Sequence, residues 1–279
     1  MNTVSTENLR EKSQWLREQI LELVVNTNKG HIPSCYSCTE IIVSLFYGGY
    51  LNFNAENPDD RNRDRILVSK GHAAMVLYPV LADLGFFSES ELGGFCTPDG
   101  LLRMYADNSI PGIESITGSL GHGLGIGAGY ALSAKRDDKS FKSFVVLGDG
   151  ECYEGSIWET ALFASSSKLD NLVAIVDRNR LCIMDETENC VELGDISDKF
   201  RAFGWDAYNV DGHSYQSILP VMNEVTTSNN GKPKVIVSNS VKGKGISFME
   251  NQPLWHNKMM NDDQVADARR QLAINCIVD

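Results

Sequence analysis

The sequence lacks the features that define several broad classes of protein. No apolar run approaches the length of a membrane span, so we expect no transmembrane segment. Basic side chains are scarce, with 25 lysines and arginines against 37 aspartates and glutamates, which gives a net charge of −12. Because nucleic acids bind to basic patches, this balance argues against a nucleic-acid partner, although it is compatible with a local pocket for a phosphorylated ligand.

Cysteines are present, but their arrangement fits neither a disulfide framework nor a zinc site. There are seven, an odd number, and no secretory leader precedes them, so we expect reduced thiols in a cytoplasmic protein. Cys35 and Cys38 have the spacing of a redox or zinc pair, but neither a second pair nor a suitably spaced histidine accompanies them. The sequence therefore argues against structural zinc.

Apolar segments of strand length alternate with amphipathic segments of helix length along the chain. We predict strands at residues 64–69, 143–147, 171–176, 205–210 and 234–240. We predict helices at residues 5–27, 37–47, 73–84, 121–135, 154–167, 195–203 and 214–227. This alternation indicates an α/β fold, namely a doubly wound and mostly parallel sheet with helices on both faces. We expect one domain over residues 1–279, in which 249–279 form a C-terminal loop and a helix at 262–276.

Polar side chains follow two of the predicted strands. Asp149 lies between Gly148 and Gly150 directly after the second strand, and Asn179 follows the third. The carboxyl ends of parallel strands share the edge where open α/β sheets bind ligands. A carboxylate and an amide oxygen there suit a hard divalent cation, and the glycines let a bulky anion approach the backbone. These residues therefore predict a metal-bound diphosphate.

On its own, the segment 148–150 is a weak signal, because many tight turns before helices have a similar sequence. In that simpler interpretation, Glu151 and Glu154 are only the acidic residues of the next helix's first turn, where they suit the helix dipole. The spacing to Asn179, which lies thirty residues after Asp149, is what makes the combination specific.

The histidines show a second pattern, because four of the five directly follow a glycine. His31 follows a predicted helix, His72 and His213 follow predicted strands, and His122 lies in the glycine-rich segment 118–123. A lone histidine of this kind is more often a turn or cap residue than a site residue. Several at strand ends favour a shared site, because neutral imidazoles donate hydrogen bonds to phosphate and sugar oxygens.

Taken together, these motifs resemble those of the transketolase family. The stretch from Gly148 to Asn179, with residues 154–159 between them, resembles the thiamine diphosphate motif in the form that transketolases use. The similarity extends over most of the chain, through residues 62–65, 69–72, 111–114, 117–123, 242–245 and 255–256. The chain is similar to the N-terminal subunit of a split transketolase.

The resemblance implies a thiamine diphosphate cofactor with a metal ion. Asp149, Asn179 and the main-chain carbonyl of Leu181 would hold Mg²⁺ or Ca²⁺, which would bridge both phosphates. His72, His256 and the amide of Gly150 would bind the diphosphate.

Further residues would complete the cofactor and substrate contacts. Gly118 and Leu120 would line the cofactor through their backbone, and Gly148 and Glu151 would flank it. The catalytic set implied by the resemblance includes His31, which would face the substrate hydroxyls, and Glu154, which would belong to carboxylates that couple paired active sites. It is completed by three further histidines, His72, His122 and His256.

The resemblance also implies a partner chain. In this family a glutamate on a separate pyrimidine-binding domain activates the cofactor, and complete transketolases are more than twice as long as this chain. The C-terminal, pyrimidine-binding subunit would supply that domain, in an assembly of the α2β2 type with the site between chains. The reaction implied is transfer of a two-carbon ketol unit from a ketose, or its phosphate, to an aldehyde acceptor.

Several positions depart from the family pattern, mainly on the substrate side. Residues 33–35 replace small glycines, and residues 105–108 replace a segment with a substrate-binding histidine. His122 stands where glutamine is common and could compensate for that loss, and residues 183–185 replace an Ile-Asp-Gly turn. We therefore hypothesise an unusual donor or acceptor.

Three other functions fit parts of the pattern. The α subunit of a 2-oxoacid dehydrogenase, or of a related acyl-transferring enzyme, has the same cofactor and the same division into chains, but the segments 117–121 and 154–159 favour the transketolase form. A subunit that holds the cofactor without turnover also remains open. A nucleotide-binding Rossmann module fits least, because no G-x-G-x-x-G follows the first strand.

Overall fold

The computed structural model describes residues 4–278, with the side chains of residues 4–273. Its strands are β1 Arg65–Val68, β2 Ser143–Gly148, β3 Leu172–Arg178, β4 Asp206–Asp211 and β5 Lys234–Asn239. They form one sheet in the order β1-β2-β3-β5-β4, and every neighbouring pair is parallel. The five predicted strands and the parallel α/β fold are thereby confirmed.

Ten α-helices connect and cover these strands within the described residues. They are α1 Thr6–Thr27, α2 Ile32–Tyr36, α3 Thr39–Tyr47, α4 Leu77–Asp83, α5 Gly123–Arg136, α6 Gly155–Ser166, α7 Thr187–Cys190, α8 Ile196–Ala202, α9 Tyr215–Thr227 and α10 Asp262–Val278. None of the described helices is long and apolar enough to cross a membrane.

Three helices differ from the sequence prediction, namely the one predicted at 73–84 and the short helices α2 and α7, of which α7 has four residues and was not predicted. The helix predicted at 73–84 begins as a 3₁₀ helix, Gly71–Val76, and becomes α-helical only at Leu77. The short helix α2 was not predicted, because five residues are too few to show a helical period. Pro33 lies in its first turn, where the missing N–H leaves no helical hydrogen bond unmade.

The sheet is covered on both faces, as a doubly wound fold requires. Ile66, Phe144 and Ile175 point to one face and pack in a cluster with residues of α1, α3, α4 and α9. Leu67 and Val145 point to the other face and pack with residues of α5, α6 and α8. Successive strand residues therefore serve two separate cores, which explains why the strands read as continuous apolar runs.

The glycine-rich helix α5 packs closely on the sheet, as its composition predicts. A Cβ atom added at Gly127 would lie 2.3 Å from the Cγ2 atom of Val145 in β2, so only a hydrogen fits between them. Gly129, two residues later in the same helix, is exposed, and an added Cβ there would meet nothing within 4 Å. One helix thus contains a constrained and an unconstrained glycine.

These two glycines give a matched test of the packing. We expect Gly127→Ala to destabilise the protein by about 1–3 kcal/mol, because the added methyl group overpacks the contact with β2. Gly129→Ala should instead stabilise it by up to about 1 kcal/mol, through helix propensity alone. Urea denaturation of the two variants measures both changes, and equal effects at the two positions would contradict the close packing.

Candidate functional site

The candidate site lies where the strands end at their carboxyl termini. Because all five strands are parallel, the segments after β1, β2, β3 and β5 meet at one edge of the sheet. These segments carry most of the residues singled out from the sequence, at positions 69–72, 148–151, 177–182 and 240–242.

Asp177, at the end of β3, joins these segments. The Nζ atom of Lys70, which follows β1, lies 2.5 Å from its Oδ2 atom. The same oxygen accepts hydrogen bonds from the Ser37 hydroxyl at 2.6 Å and the Asn179 amide at 2.9 Å. Its other oxygen accepts a hydrogen bond from the hydroxyl of Ser240, beyond β5. One carboxylate therefore fixes the loops after three strands and the segment before α3.

The pair of Lys70 and Asp177 is fully buried and stays charged. Burial alone would raise the pKa of Asp177, but the Lys70 ammonium and the hydroxyl donors hold that pKa below its usual value. Burial would likewise lower the pKa of Lys70, but the charge of Asp177 raises it. Lys70 also donates to the carbonyl of Ser34 at 2.7 Å, so both charges are well satisfied.

Asp149 and Asn179 lie side by side at this edge. One oxygen of Asp149 accepts from the Gly150 amide at 2.9 Å, and the other accepts from the amide of Arg180 at 2.6 Å. Arg180 is the residue between Asn179 and Leu181, so the three predicted metal ligands are neighbours. The amide nitrogen of Asn179 donates to Asp177, which leaves its oxygen with a single contact, to the amide of Leu181 at 3.1 Å.

The electrostatics at Asp149 favour a bound cation. Burial, reinforced by the negative charge of Asp177, raises the pKa of Asp149 to about 6 despite the nearby Arg178 guanidinium. A divalent cation would stabilise the charged carboxylate and offset that penalty. Among residues 4–273, no group of three or more histidine, cysteine or carboxylate side chains is placed to hold a metal. The available donors are oxygens of three chemical kinds, which suit Mg²⁺ or Ca²⁺ better than zinc.

Lys242, in the loop after β5, reaches the same place. Its Nζ atom lies 3.1 Å from the carbonyl oxygen of Leu181 and 3.4 Å from that of Cys182. Its side chain is buried, and this burial lowers its pKa to about 8. An anion bound beside Lys242 would favour its charged form, so the lysine suits a phosphate group.

Three histidines from distant segments meet beside these groups. The ring centroids of His31 and His72 are 5.5 Å apart, those of His31 and His256 are 5.3 Å apart, and those of His72 and His256 are 5.0 Å apart. The Nδ1 atoms of His31 and His256 are buried and have no hydrogen-bond partner within the protein. These two atoms are therefore available to a ligand.

All three imidazoles are neutral at physiological pH. Burial lowers the pKa of His256 to about 3, and the charge of Lys242 adds to the shift. Burial, together with the Lys70 ammonium, brings the pKa of His72 well below its usual value. The pKa of His31 is also lowered by burial and by Lys242. Each ring can therefore donate one hydrogen bond and accept another.

A close backbone contact brings the segment 117–120 to the site. A Cβ atom added at Gly71 would lie only 2.2 Å from the carbonyl oxygen of Thr117, so this turn requires glycine. Glu151 supports the same segment, because one of its oxygens accepts from the Gly121 amide at 2.9 Å and the other from the Gly148 amide at 3.0 Å. Both oxygens of Glu151 therefore accept hydrogen bonds from the protein, and Glu151 connects the segment that contains Gly121 to the segment that contains Gly148.

Some sequence candidates lie apart from the histidine cluster. His122 is exposed at the start of α5, and Glu154 is exposed at the start of α6. Their proposed roles toward substrate and subunit interface stay predictions. Both ring nitrogens of His213 are used within the protein, since Nδ1 lies 2.9 Å from Glu40 and Nε2 accepts a hydrogen bond from the amide of Val241.

Three central residues of the site, Lys70, Asp177 and Lys242, were not predicted from the sequence. Lys70 and Lys242 lie within motifs that resemble the family, but nothing in the sequence indicated that they would be buried. Lysine side chains are rarely buried, so the burial of these two was not expected. The position of Lys70 directly after an apolar strand was the only indication in the sequence, and it is a weak one.

The family model described as "Transketolase, thiamine diphosphate binding domain" matches residues 10–277. Two relatives match over nearly their whole length. An apulose-4-phosphate transketolase subunit from Phocaeicola vulgatus is 36% identical over 270 residues, which cover 97% of this chain and 95% of that protein. The 6-deoxy-6-sulfo-D-fructose transketolase subunit of a Clostridium species is 34% identical over 256 residues, which cover 91% of this chain and 92% of that protein.

A solved structure shows the same fold within a longer chain. The transketolase of Campylobacter jejuni superposes with a TM-score of 0.91 at 26% identity. The match covers 99% of this chain but 44% of the Campylobacter chain. This chain therefore spans less than half of that transketolase.

The buried ion pair gives a test of how the site is held. We expect Asp177→Asn to destabilise the protein by about 3–5 kcal/mol, because it leaves the Lys70 ammonium buried without a counter-charge. Asp198→Asn is the matched control, since Asp198 pairs with Arg201 at the surface and should contribute less than about 1 kcal/mol. Denaturant unfolding at neutral pH measures both, and equal losses in the two variants would contradict the central role of the pair.

Proposed function

Since this chain belongs to the transketolase family through its thiamine-diphosphate-binding domain, we propose that it is the cofactor-holding subunit of a two-chain transketolase. The enzyme would transfer a two-carbon ketol unit from a ketose to an aldehyde acceptor. The observation that carries this proposal is the meeting of Asp149, Asn179 and Leu181 with three neutral histidines at one edge of the sheet.

The residues present fit thiamine diphosphate and a divalent metal. We propose that Asp149, Asn179 and the Leu181 carbonyl hold Mg²⁺ or Ca²⁺, and that Lys242 balances the phosphate charge. The amide of Gly150, His72 and His256 would donate hydrogen bonds to the phosphate oxygens. The buried and unpartnered Nδ1 atom of His256 supports this assignment, because a buried polar atom without a partner is costly unless a ligand satisfies it. The cofactor supplies the carbanion chemistry that breaks and forms the carbon–carbon bond.

The protein's own contribution is placement and proton handling. His31 directly precedes helix α2 and has a buried Nδ1 atom without a protein partner, so it is suited to hold a substrate hydroxyl. Because its pKa is lowered, its neutral ring can accept a proton from that hydroxyl and return it. Gly118 and Leu120 would border the cofactor through their backbone, with Gly148 at the same turn.

A second chain would complete the site. The two relatives are named as subunits, and this chain spans 44% of the Campylobacter transketolase. Apolar side chains beside the site are exposed, with Met184 86% and Leu254 82% accessible to solvent. Met184 lies three residues after Leu181, and Leu254 lies two before His256. We propose that these side chains pack against a C-terminal, pyrimidine-binding subunit in an α2β2 assembly.

The substrate is proposed to differ from the ordinary pentose phosphates. Tyr105, in the segment that replaces the family's substrate histidine, has its ring beside Gly118, since a Cβ atom added there would lie 3.5 Å from the Tyr105 Cδ1 atom. An exposed aromatic ring next to the expected cofactor position changes the shape and polarity of the substrate pocket. The names of the two relatives, which refer to apulose 4-phosphate and 6-deoxy-6-sulfofructose, also support a specialised donor.

The activity of the two-chain enzyme tests this proposal. With its partner, thiamine diphosphate and Mg²⁺, the wild-type chain should transfer a ketol unit to an aldehyde acceptor. Asp149→Asn should lower this activity at least about 100-fold, because it removes a metal ligand. Asp198→Asn changes the charge equally at an exposed position of α8 and should leave the activity intact.

Four outcomes would contradict parts of the proposal. Full activity of Asp149→Asn would rule out the metal assignment. Release of CO₂ from pyruvate without ketol transfer would favour the 2-oxoacid dehydrogenase alternative, and cofactor binding without any turnover would favour a non-catalytic subunit. Activity confined to xylulose 5-phosphate and ribose 5-phosphate, among a panel of ketose donors, would remove the specialised substrate.

The exposed apolar residues give a test of the partner. We expect Met184→Asp to weaken association with the partner chain about tenfold or more, because a charge replaces an apolar side chain that the interface would bury. Asn223→Asp adds the same charge at an exposed position of α9 and should leave the affinity for the partner unchanged. Titration calorimetry with the purified partner measures both affinities. An unchanged affinity for Met184→Asp would show that the partner binds elsewhere.

A further inference from the structure

A buried hydrogen-bonded relay runs from α1 to the loop that carries Lys242. The Nη2 atom of Arg17 lies 2.7 Å from the Oε1 atom of Glu40. The Oε2 atom of Glu40 lies 2.9 Å from the Nδ1 atom of His213. The Nε2 atom of His213 accepts a hydrogen bond of 2.9 Å from the amide of Val241, the residue directly before Lys242.

The relay fixes one tautomer of His213. An amide N–H can donate only to an unprotonated nitrogen, so Nε2 carries no proton, and Nδ1 donates its own proton to Glu40. Burial would raise the pKa of Glu40, but Arg17 and His213 together lower it to about 2. Glu40 therefore stays charged and holds the imidazole in one orientation.

The loop that donates this hydrogen bond also has bonds of its own, such as those from the Asn251 amide to the Lys242 carbonyl at 3.0 Å and from the Gly245 amide to Glu250 at 2.9 Å. Gly243 and Gly245 adopt φ angles of 81° and 102°, which only glycine adopts without strain. The loop is placed by its contacts with other elements, such as the bond of 3.1 Å from the Gly243 amide to the carbonyl of Pro33. His213 provides the contact to Val241, immediately before Lys242.

We infer that His213, oriented by Glu40, is a positioning residue that sets Lys242 against the cofactor diphosphate. This inference rests on the proposed function, since it requires that Lys242 contact a bound diphosphate. His213 itself touches neither phosphate nor metal in this assignment. It acts by fixing the amide of Val241, so that the Lys242 side chain leaves the loop toward the carbonyl of Leu181.

Two substitutions of His213 test its donor atom, Nδ1, and its acceptor atom, Nε2, separately. His213→Asn keeps an N–H donor near the position of Nδ1 but has no acceptor at the position of Nε2. His213→Gln is long enough to present an oxygen to the Val241 amide. If the acceptor positions Lys242, the asparagine variant should bind thiamine diphosphate and Mg²⁺ about tenfold more weakly than wild type, and the glutamine variant should regain most of the affinity.

A double-mutant cycle with Lys242→Met distinguishes positioning from a general loss of stability. In the Lys242→Met background, His213→Asn should cause little further loss of affinity, because the side chain that it positions is already gone. Gln216→Ala, an exposed change in the next helix, is the control and should leave affinity unchanged in both backgrounds. If the asparagine variant does not fold, the same cycle is measured with Glu40→Gln, which removes the charge that orients the His213 imidazole.

Calorimetry of cofactor binding and urea unfolding of each variant decide the outcome. Weaker binding that disappears in the Lys242→Met background supports the inference. Additive losses in the two backgrounds, or a loss of stability with unchanged cofactor affinity, would overturn it and leave the proposed function standing. A wild-type chain, with its partner present, that binds no thiamine diphosphate would remove the proposed function and the inference together.

Discussion

The buried ion pair of Lys70 and Asp177 is the contact on which the arrangement of this site depends. It links the turn after β1 to the end of β3, and the same carboxylate binds Ser37 and Ser240. Segments that are distant in sequence are therefore bound to the two carboxylate oxygens of Asp177. Leaving either charge of this pair unpaired would cost several kcal/mol. The loops bound to Asp177 therefore depend on one another for their arrangement.

The electrostatics around that pair suit the diphosphate and the metal ion that we propose. Three neutral imidazoles and the buried Lys242 offer hydrogen-bond donors to an anion. Asp149, whose pKa burial raises to about 6, would be stabilised in its charged form by the proposed cation. Burial disfavours the charged forms of Asp149 and Lys242. The proposed metal ion would offset this cost at Asp149, and the diphosphate would offset it at Lys242. The Lys242 ammonium, which donates to the Leu181 carbonyl, would have to move from that oxygen to the diphosphate when the metal binds.

The sequence predicted the sheet well, and the reason is physical. Buried parallel strands are continuous apolar runs, and the turns after them carry the glycines and polar residues of the site. The convergence of His31, His72 and His256 could not be predicted from periodicity, because it depends on how three separate loops pack. The family resemblance suggested a shared site for them. The role of Asp177 was hidden, since a buried acid and an exposed one look alike in sequence. Helix α2 was too short to recognise.

A crystal structure with thiamine diphosphate and Mn²⁺ in place of Mg²⁺, grown with the partner chain, tests the central claim most directly. The anomalous signal of manganese locates the metal independently of any prior placement. We expect one strong peak within coordination distance of Asp149, Asn179 and the Leu181 carbonyl, and a diphosphate in contact with Lys242. A peak elsewhere, or a diphosphate bound away from these loops, would contradict the proposed cofactor site.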